Sequence, residues 1–257
     1  MHKIRVKIAW FYKTTYLPVS WDQIDPGLLK VVLKTLVSYP ETTARLFILR
    51  RLLRMNRRTF ARLSDGQLWD LLNCISFISL KDLRSQPIKS FAKGWTLPDT
   101  NFRYGTCYEF AKADYYFKRF KESKSKQDLD LFFATLARHK NNPSINEEEI
   151  KSKLSKIKKT PEYIKLVTVC YFGGIKNLVH DLYGEFLFKS DLESNSSASA
   201  YVPKFNLEWW GIFNSIAESG VFGNIRSVHQ SNFHDVCTYL VQKKEEYLAT
   251  KSTENES

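Results

Sequence analysis

The chain has 257 residues, of which 43% are hydrophobic, 14% aromatic and 26% charged, which excludes disorder throughout and supplies apolar mass for one large core or two smaller ones. Only 10 Gly and 8 Pro are present, so the balance tilts toward helix and away from a turn-rich β-sandwich. The formal net charge of +12 is an N-terminal property: residues 1–62 carry thirteen Lys and Arg against three Asp and Glu, and the other 195 residues carry 26 against 24. Such asymmetry can mark contact with nucleic acid, an anionic membrane or an acidic protein partner, and does not say which.

Ile4, Val6, Ile8 and Trp10 alternate with Arg5, Lys7 and Ala9, which predicts a half-buried strand, with Thr14 to Val19 as its short partner. The charged residues in this opening also break the continuous apolar run that a signal peptide requires. Asp25-Pro26 reads as an N-cap followed by proline at the first helical position, opening a helix that Tyr39-Pro40 stops. The spacing of Leu46, Leu49, Leu53 and Phe60 then predicts one amphipathic helix over 42–63. On it Arg50, Arg54, Arg57 and Arg58 follow i, i+4, i+7 and i+8, a candidate polyanion-binding face. Basic helices also use such side chains to cover apolar surface. Ser64 and Gln67 have capping-box form at the head of a further helix.

Residues 87–104 contain Gly94, Pro98, Asp99 and Asn101 without helical period and read as an extended connection. A second capping box, Thr106 to Glu109, opens a helix with Phe110, Ala113, Phe117 and Phe120 on one face, and Leu129 to His139 forms the next. Glu147, Glu148 and Glu149 suit the first turn of another. The longest apolar stretch, Tyr163 to Phe188, is interrupted by Lys165, Lys176, Asp181 and Glu185 and reads as a buried helix rather than a membrane span. Gly173-Gly174 within it predicts a bend or a close backbone approach. A C-terminal helical pair follows, the first helix carrying Trp209, Trp210 and Phe213 and closing at Gly220, the second carrying Phe233 and Val236, with Phe222 as an apolar anchor between them.

The organisation expected is a mainly α, multi-helix protein with a small N-terminal β-hairpin. A basic unit spans 1–86, a connection 87–104, a helical core 105–189, a Ser-rich linker 190–202, the helical pair 203–247 and a disordered tail 248–257.

Cys74, Cys107, Cys170 and Cys237 form no C-x-x-C pair and suit a reducing cytoplasm. Neither the five histidines nor the glycines match a metal or phosphate-loop spacing. Cys170 and His180 could in principle meet as nucleophile and base, and Glu109, Asp114, Asp128 and Asp130 could be gathered by folding; caps and solvated charges are the plainer account of the acids, and no enzyme signature is present.

The order of segments resembles proteins encoded in bacterial prophage and phage structural-gene clusters. The resemblance rests on YLPVSWDQI at 16–24, RLSDGQLWDLLNCISFI at 62–78, LPDTNFRYGTCYEFAKADYYFKRF at 97–120, LDLFFATLAR at 129–138 and the terminal WWGIFNSIAESGVFGNIRSVHQSNFHDVCTYLVQKKEE. A Lys-rich stretch at 151–159 and the Ser-rich 190–200 depart from the pattern. The resemblance implies a non-enzymatic virion-assembly protein without a cofactor, a tail-assembly chaperone or accessory structural component. It would act in the bacterial host cytoplasm during assembly, with the virion as a second location, and bind another phage structural protein. Trp209, Trp210, Phe213 and Phe222 are the expected partner-binding residues, and a nucleic-acid-binding role for the Arg-rich helix is the alternative.

Overall fold

The computed structural model describes residues 1–8, 11–81, 83–139, 147–187 and 209–255. It is mainly helical, with eleven α-helices among the described residues and a small antiparallel hairpin near the N-terminus. No helix among the described residues is long and apolar enough to cross a membrane. Two compact units form, one from Met1–Leu83 with Pro161–Tyr171, the other from Arg84–Thr160 with Phe172–Ser257. The Ser-rich linker, Trp10 and the start of the C-terminal pair at 203–208 lie outside the described residues.

In the first unit β1 (His2–Ile8) pairs antiparallel with β2 (Phe11–Leu17), from His2 opposite Leu17 to Ile8 opposite Phe11. The second strand thus starts three residues before the expected Thr14 and stops at Pro18, which has no N–H to offer a ladder. Period-two alternation sends Val6, Ile8 and Leu17 into the core. Helix α1 (Pro26–Ser38) is capped as expected: Asp25 Oδ1 accepts from the amides of Gly27 and Leu28 at 2.9 and 3.2 Å.

The single helix expected over 42–63 is broken. Helix α2 (Glu41–Leu52) ends, Arg54 takes a left-handed φ of 50°, and α3 (Arg57–Phe60) restarts with Asn56 as its cap. The break is held from a distance, because Lys13 Nζ on β2 donates to Leu53 O at 2.8 Å and Arg54 O at 3.0 Å. A cation there satisfies helix-end carbonyls and complements the negative end of the dipole. Helix α4 (Asp65–Cys74) carries the Ser64–Gln67 capping box, and Gln67 Nε2 also donates to Lys7 O at 2.9 Å. Arg45 Nη2 closes its far end on Leu72 O at 2.7 Å. Val6, Ile8, Leu17, Ile48, Leu49 and Ile75 belong to the resulting core.

In the second unit the stretch expected as a connection carries β3 (Ser90–Ala92) and β4 (Trp95–Thr96). These form a three-stranded sheet with β5 (Arg138–His139), in the order β3-β4-β5. Gly94, at φ 79°, permits the turn. Helix α5 (Cys107–Ser123) opens on the Thr106–Glu109 box, and α6 (Lys126–Leu136) ends before 138–139, expected as helix, join the sheet. Then come α7 (Glu147–Ile157) and α8 (Glu162–Leu187), which passes from the first unit into the second. Gly173 produces no close approach, since a methyl there would sit 3.8 Å from Phe117, an ordinary contact. Helix α9 (Trp209–Ser219) stops at Gly220, whose φ is 73°; α10 (Ile225–Gln230) is an extra short helix; α11 (Phe233–Asn255) extends through 248–255, expected as disordered. An i, i+3 pair between Lys243 and Glu246, 2.6 Å apart, favours helix on its exposed stretch.

Aromatic rings fill this core. Phe110 stacks on Phe233 at 3.8 Å between centroids and meets Phe172 at 5.4 Å. The turn before α5 is locked to the start of α11: Phe233 N donates to Gly105 O at 2.9 Å, and Cys107 N to Ser231 O at 3.0 Å. A Cβ on Gly105 would lie 1.9 Å from the ring of buried Phe102. Gly105→Ala is therefore expected to destabilise the second unit by about 3 kcal/mol through overpacking, read as a lower urea midpoint.

Candidate binding surfaces

The α9 period places Trp209, Phe213 and Ile216 on one face, and that face is interior. Phe213 has no exposed surface, and the Trp209 ring lies 5.1 Å from Phe110 and 5.2 Å from Phe233. Trp210, turned off that face, is half-buried against Tyr108 at 5.6 Å and His229 at 5.2 Å, with Lys112 Nζ 5.6 Å from its ring. Phe222 packs separately, 5.4 Å from Tyr239. The expected four-residue docking face is thus divided: Phe213 is inaccessible, Trp209 helps cover the Phe110–Phe233 stack, and Trp210 and Phe222 keep partial exposure. Helical spacing identified an apolar face but not the side that faces solvent.

The arginines are also redistributed. Arg50 and Arg51 occupy the last turn of α2, Arg54 lies in the break, and Arg57 and Arg58 open α3. A common helical face for Arg50, Arg54, Arg57 and Arg58 does not form, because the Lys13 cap ends the helix first. What α1 and α2 do build is a shallow groove of about 170 Å³, lined by Val31, Val32, Tyr39, Phe47 and Ile48 with Arg50 and Arg51 at its rim. Val31, Tyr39 and Phe47 are 42%, 51% and 43% exposed, and the last two rings meet at 5.5 Å. Sequence reasoning passed over these residues; the signal was that Val31 and Phe47 are surplus to the buried stripes Val32-Leu33-Leu36 and Ala44-Ile48-Leu49.

The carboxylates considered for catalysis hold the fold. Glu109 completes its capping box and takes a two-pronged pair from Arg138, whose Nε and Nη2 lie 2.8 and 2.6 Å away. Asp114 is held by Lys118 and Lys176. Hydrogen bonds from Ser123, aided by Ser125 and the Arg119 charge against the opposing effect of burial, keep Asp128 below the ordinary carboxylate value. Its Oδ1 lies 2.9 Å from Arg119 Nη2, an ion pair without hydrogen-bond alignment. Asp130 is buried in α6. Burial pulls Lys153 below its ordinary value while its Nζ donates to Ala137 O at 2.9 Å.

Burial alone pushes Cys170 upward, and burial first of all lifts Cys107 to about 12. Cys170 and His180 lie ten residues apart on the continuous α8, a rise of about 15 Å, so they do not pair. His234 bridges Tyr183 OH at 2.8 Å and Asn101 O at 2.9 Å. The carbonyl can only accept, which assigns the proton to Nε2 and leaves Nδ1 to accept from the tyrosine in the neutral ring. Beside it lies an open cavity of about 390 Å³ lined by Asn101, Arg103, Tyr104, Asn232 and Asp235 among others. Among the described residues no group of three His, Cys, Asp or Glu is placed to hold a metal ion.

No protein-family model, no curated protein and no solved structure matches this chain.

Two outcomes follow from this geometry. Glu109→Gln leaves Arg138 facing a neutral amide in a buried site, and a loss of about 3 kcal/mol is expected in urea unfolding. Burial holds His229 below its ordinary 6.5, so the native state favours the neutral ring. The stability it contributes is present above 6.5 and is lost as pH falls through the depressed folded value. The urea midpoint should therefore drop on acidification below about pH 6.5, and His229→Phe should reduce that drop.

Proposed function

We propose that this chain is a non-enzymatic phage-assembly protein that binds another phage structural protein in the host cytoplasm, as a tail-assembly chaperone or accessory component does. The docking site is the α1–α2 groove, and its occupant is an apolar segment of the partner flanked by acidic residues. The carrying observation is the pairing of exposed Val31, Tyr39 and Phe47 with Arg50 and Arg51 at one rim. Apolar anchors in a concave patch with a charged rim have the anatomy of a protein interface, and the positive charge selects an acidic partner. The segments that resemble phage structural-cluster proteins supply the partner's class. The groove replaces the C-terminal aromatic face as the preferred site, because Phe213 is not accessible.

The test is pairwise co-expression of the tagged chain with each structural protein encoded in its gene cluster, followed by nuclease treatment and measurement of Kd for any complex. A nuclease-resistant complex is expected, weakened at least about 30-fold by Phe47→Ser, as for a hot-spot side chain, and abolished by Arg50→Glu with Arg51→Glu. Trp210→Ala should leave it intact. Failure of every structural protein to bind, or wild-type affinity in the groove variants, overturns the reading.

A further inference from the structure

The β1–β2 hairpin has an outer face that the groove does not use. Opposite the buried row of Val6, Ile8 and Leu17, β1 presents Lys3, Arg5 and Lys7, and β2 presents Tyr12, Thr14 and Tyr16; all six are exposed. The register sets them in facing pairs, Lys3 with Tyr16, Arg5 with Thr14 and Lys7 with Tyr12. Every outward position on one strand is a cation, and two of the three on the other are tyrosines, 53% and 57% exposed. The Arg5 guanidinium lies 4.4 Å from the Tyr12 ring centroid. None of the three cations has an ion-pair partner among the described residues, and Met1 to Trp21 contains no acidic residue.

We propose that this outer face of the hairpin is a single-stranded nucleic-acid platform, on which Tyr12 and Tyr16 stack bases while Lys3, Arg5 and Lys7 neutralise phosphates. Exposed tyrosines on a strand support cross-strand packing, as the Arg5–Tyr12 contact does, but that use does not require every outward position of the facing strand to be a cation. An acidic protein would use the cations and leave the rings without a specific partner. A polynucleotide supplies both complements at every step, an anionic phosphate and a flat π-face. Base faces are open only when strands are unpaired, so the tyrosines select single strands over duplex. The platform is also preorganised, because Lys13 ties the hairpin to the end of α2 and Gln67 ties Lys7 O to the start of α4. The inference is independent of the docking groove, whose residues all lie on or beside α1 and α2.

The test uses the full chain and a fluorescein-labelled oligothymidylate of about 16 nucleotides, with a duplex of the same length and vesicles of phosphatidylserine as the other arms. Anisotropy is read between about 50 and 200 mM salt. Tighter binding of the single strand than of the duplex is expected. Tyr12→Ser and Tyr16→Ser should each weaken it about tenfold with the salt slope unchanged. Combined Lys3→Gln, Arg5→Gln and Lys7→Gln should lower the slope of log affinity against log salt by about 2, three contacts at roughly 0.7 each. Circular dichroism checks folding of each variant, and Arg5→Gln alone, expected to lower the slope by about 0.7, serves where the triple variant does not fold. Phe47→Ser should bind the oligonucleotide as wild type does. Absence of oligonucleotide binding, equal affinity for duplex with the tyrosine variants unaffected, an unchanged slope in the charge variants, or binding to vesicles alone overturns the proposal.

Discussion

The ammonium of Lys13, set on the carbonyls of Leu53 and Arg54, is the interaction on which the first unit depends. Each hydrogen bond from a charged donor contributes about 1.5–3 kcal/mol, but its larger effect is geometric. It ends α2, allows Arg54 its left-handed turn, and fixes β2 against the helices. In a strand a slip of one residue would exchange the buried and exposed rows. The apolar alternation sets which row is buried, and Lys13 fastens the hairpin in that register, with Val6, Ile8 and Leu17 inward and the cationic row out. By terminating α2 it also places Arg50 and Arg51 in the last turn, where positive charge is favoured, beside the exposed ring of Phe47.

The second unit solves a different problem, the placement of buried charge within an aromatic core. Glu109 is 2% exposed and would be costly there alone, yet it accepts from the Thr106 amide and from two nitrogens of Arg138. Arg138 also donates to Tyr104 O, so one ion pair connects the start of α5, the loop before it and β5. The same economy governs Asp128, whose amide donates to the capping Ser125 Oγ and whose carboxylate accepts from the Ser123 and Ser125 hydroxyls and holds Arg119. Burial, capping and pairing account for the perturbed titrations of Asp128, Lys153, Cys107 and Cys170.

What was legible in the sequence is what local chemistry determines. Asp25-Pro26, the Ser64–Gln67 and Thr106–Glu109 boxes and Gly220 each act within four residues, and each stands where its pattern placed it. The break in the arginine helix was not legible because its cause, Lys13, lies forty residues earlier. The strands at 90–96 were hidden for a related reason: each is two or three residues long, and the third member of their sheet is Arg138–His139, at the end of a helical pattern. For the binding surfaces, periodicity marked Trp209 and Phe213 as an apolar face, but which apolar faces meet each other is a tertiary fact. The exposed rings of Tyr39 and Phe47 became visible only once the buried stripes of α1 and α2 were known.

The basic excess of the first 62 residues is therefore divided between structure and surface. Lys13 and Arg45 are engaged as helix-end donors, which removes them from any binding face. Lys3, Arg5 and Lys7 on the hairpin and Arg50 and Arg51 at the groove form two positively charged surfaces on one compact unit. On the readings proposed above, both take anionic ligands and draw on the same positive potential. An acidic segment in the groove lowers the attraction that the hairpin exerts on phosphate, and by linkage nucleic acid weakens the groove to the same degree. The coupling is strongest at low salt and fades where the charges lie beyond about 8 Å of one another at physiological ionic strength. On those two readings, any coupling between the hairpin and the groove runs through charge alone and requires no change of fold.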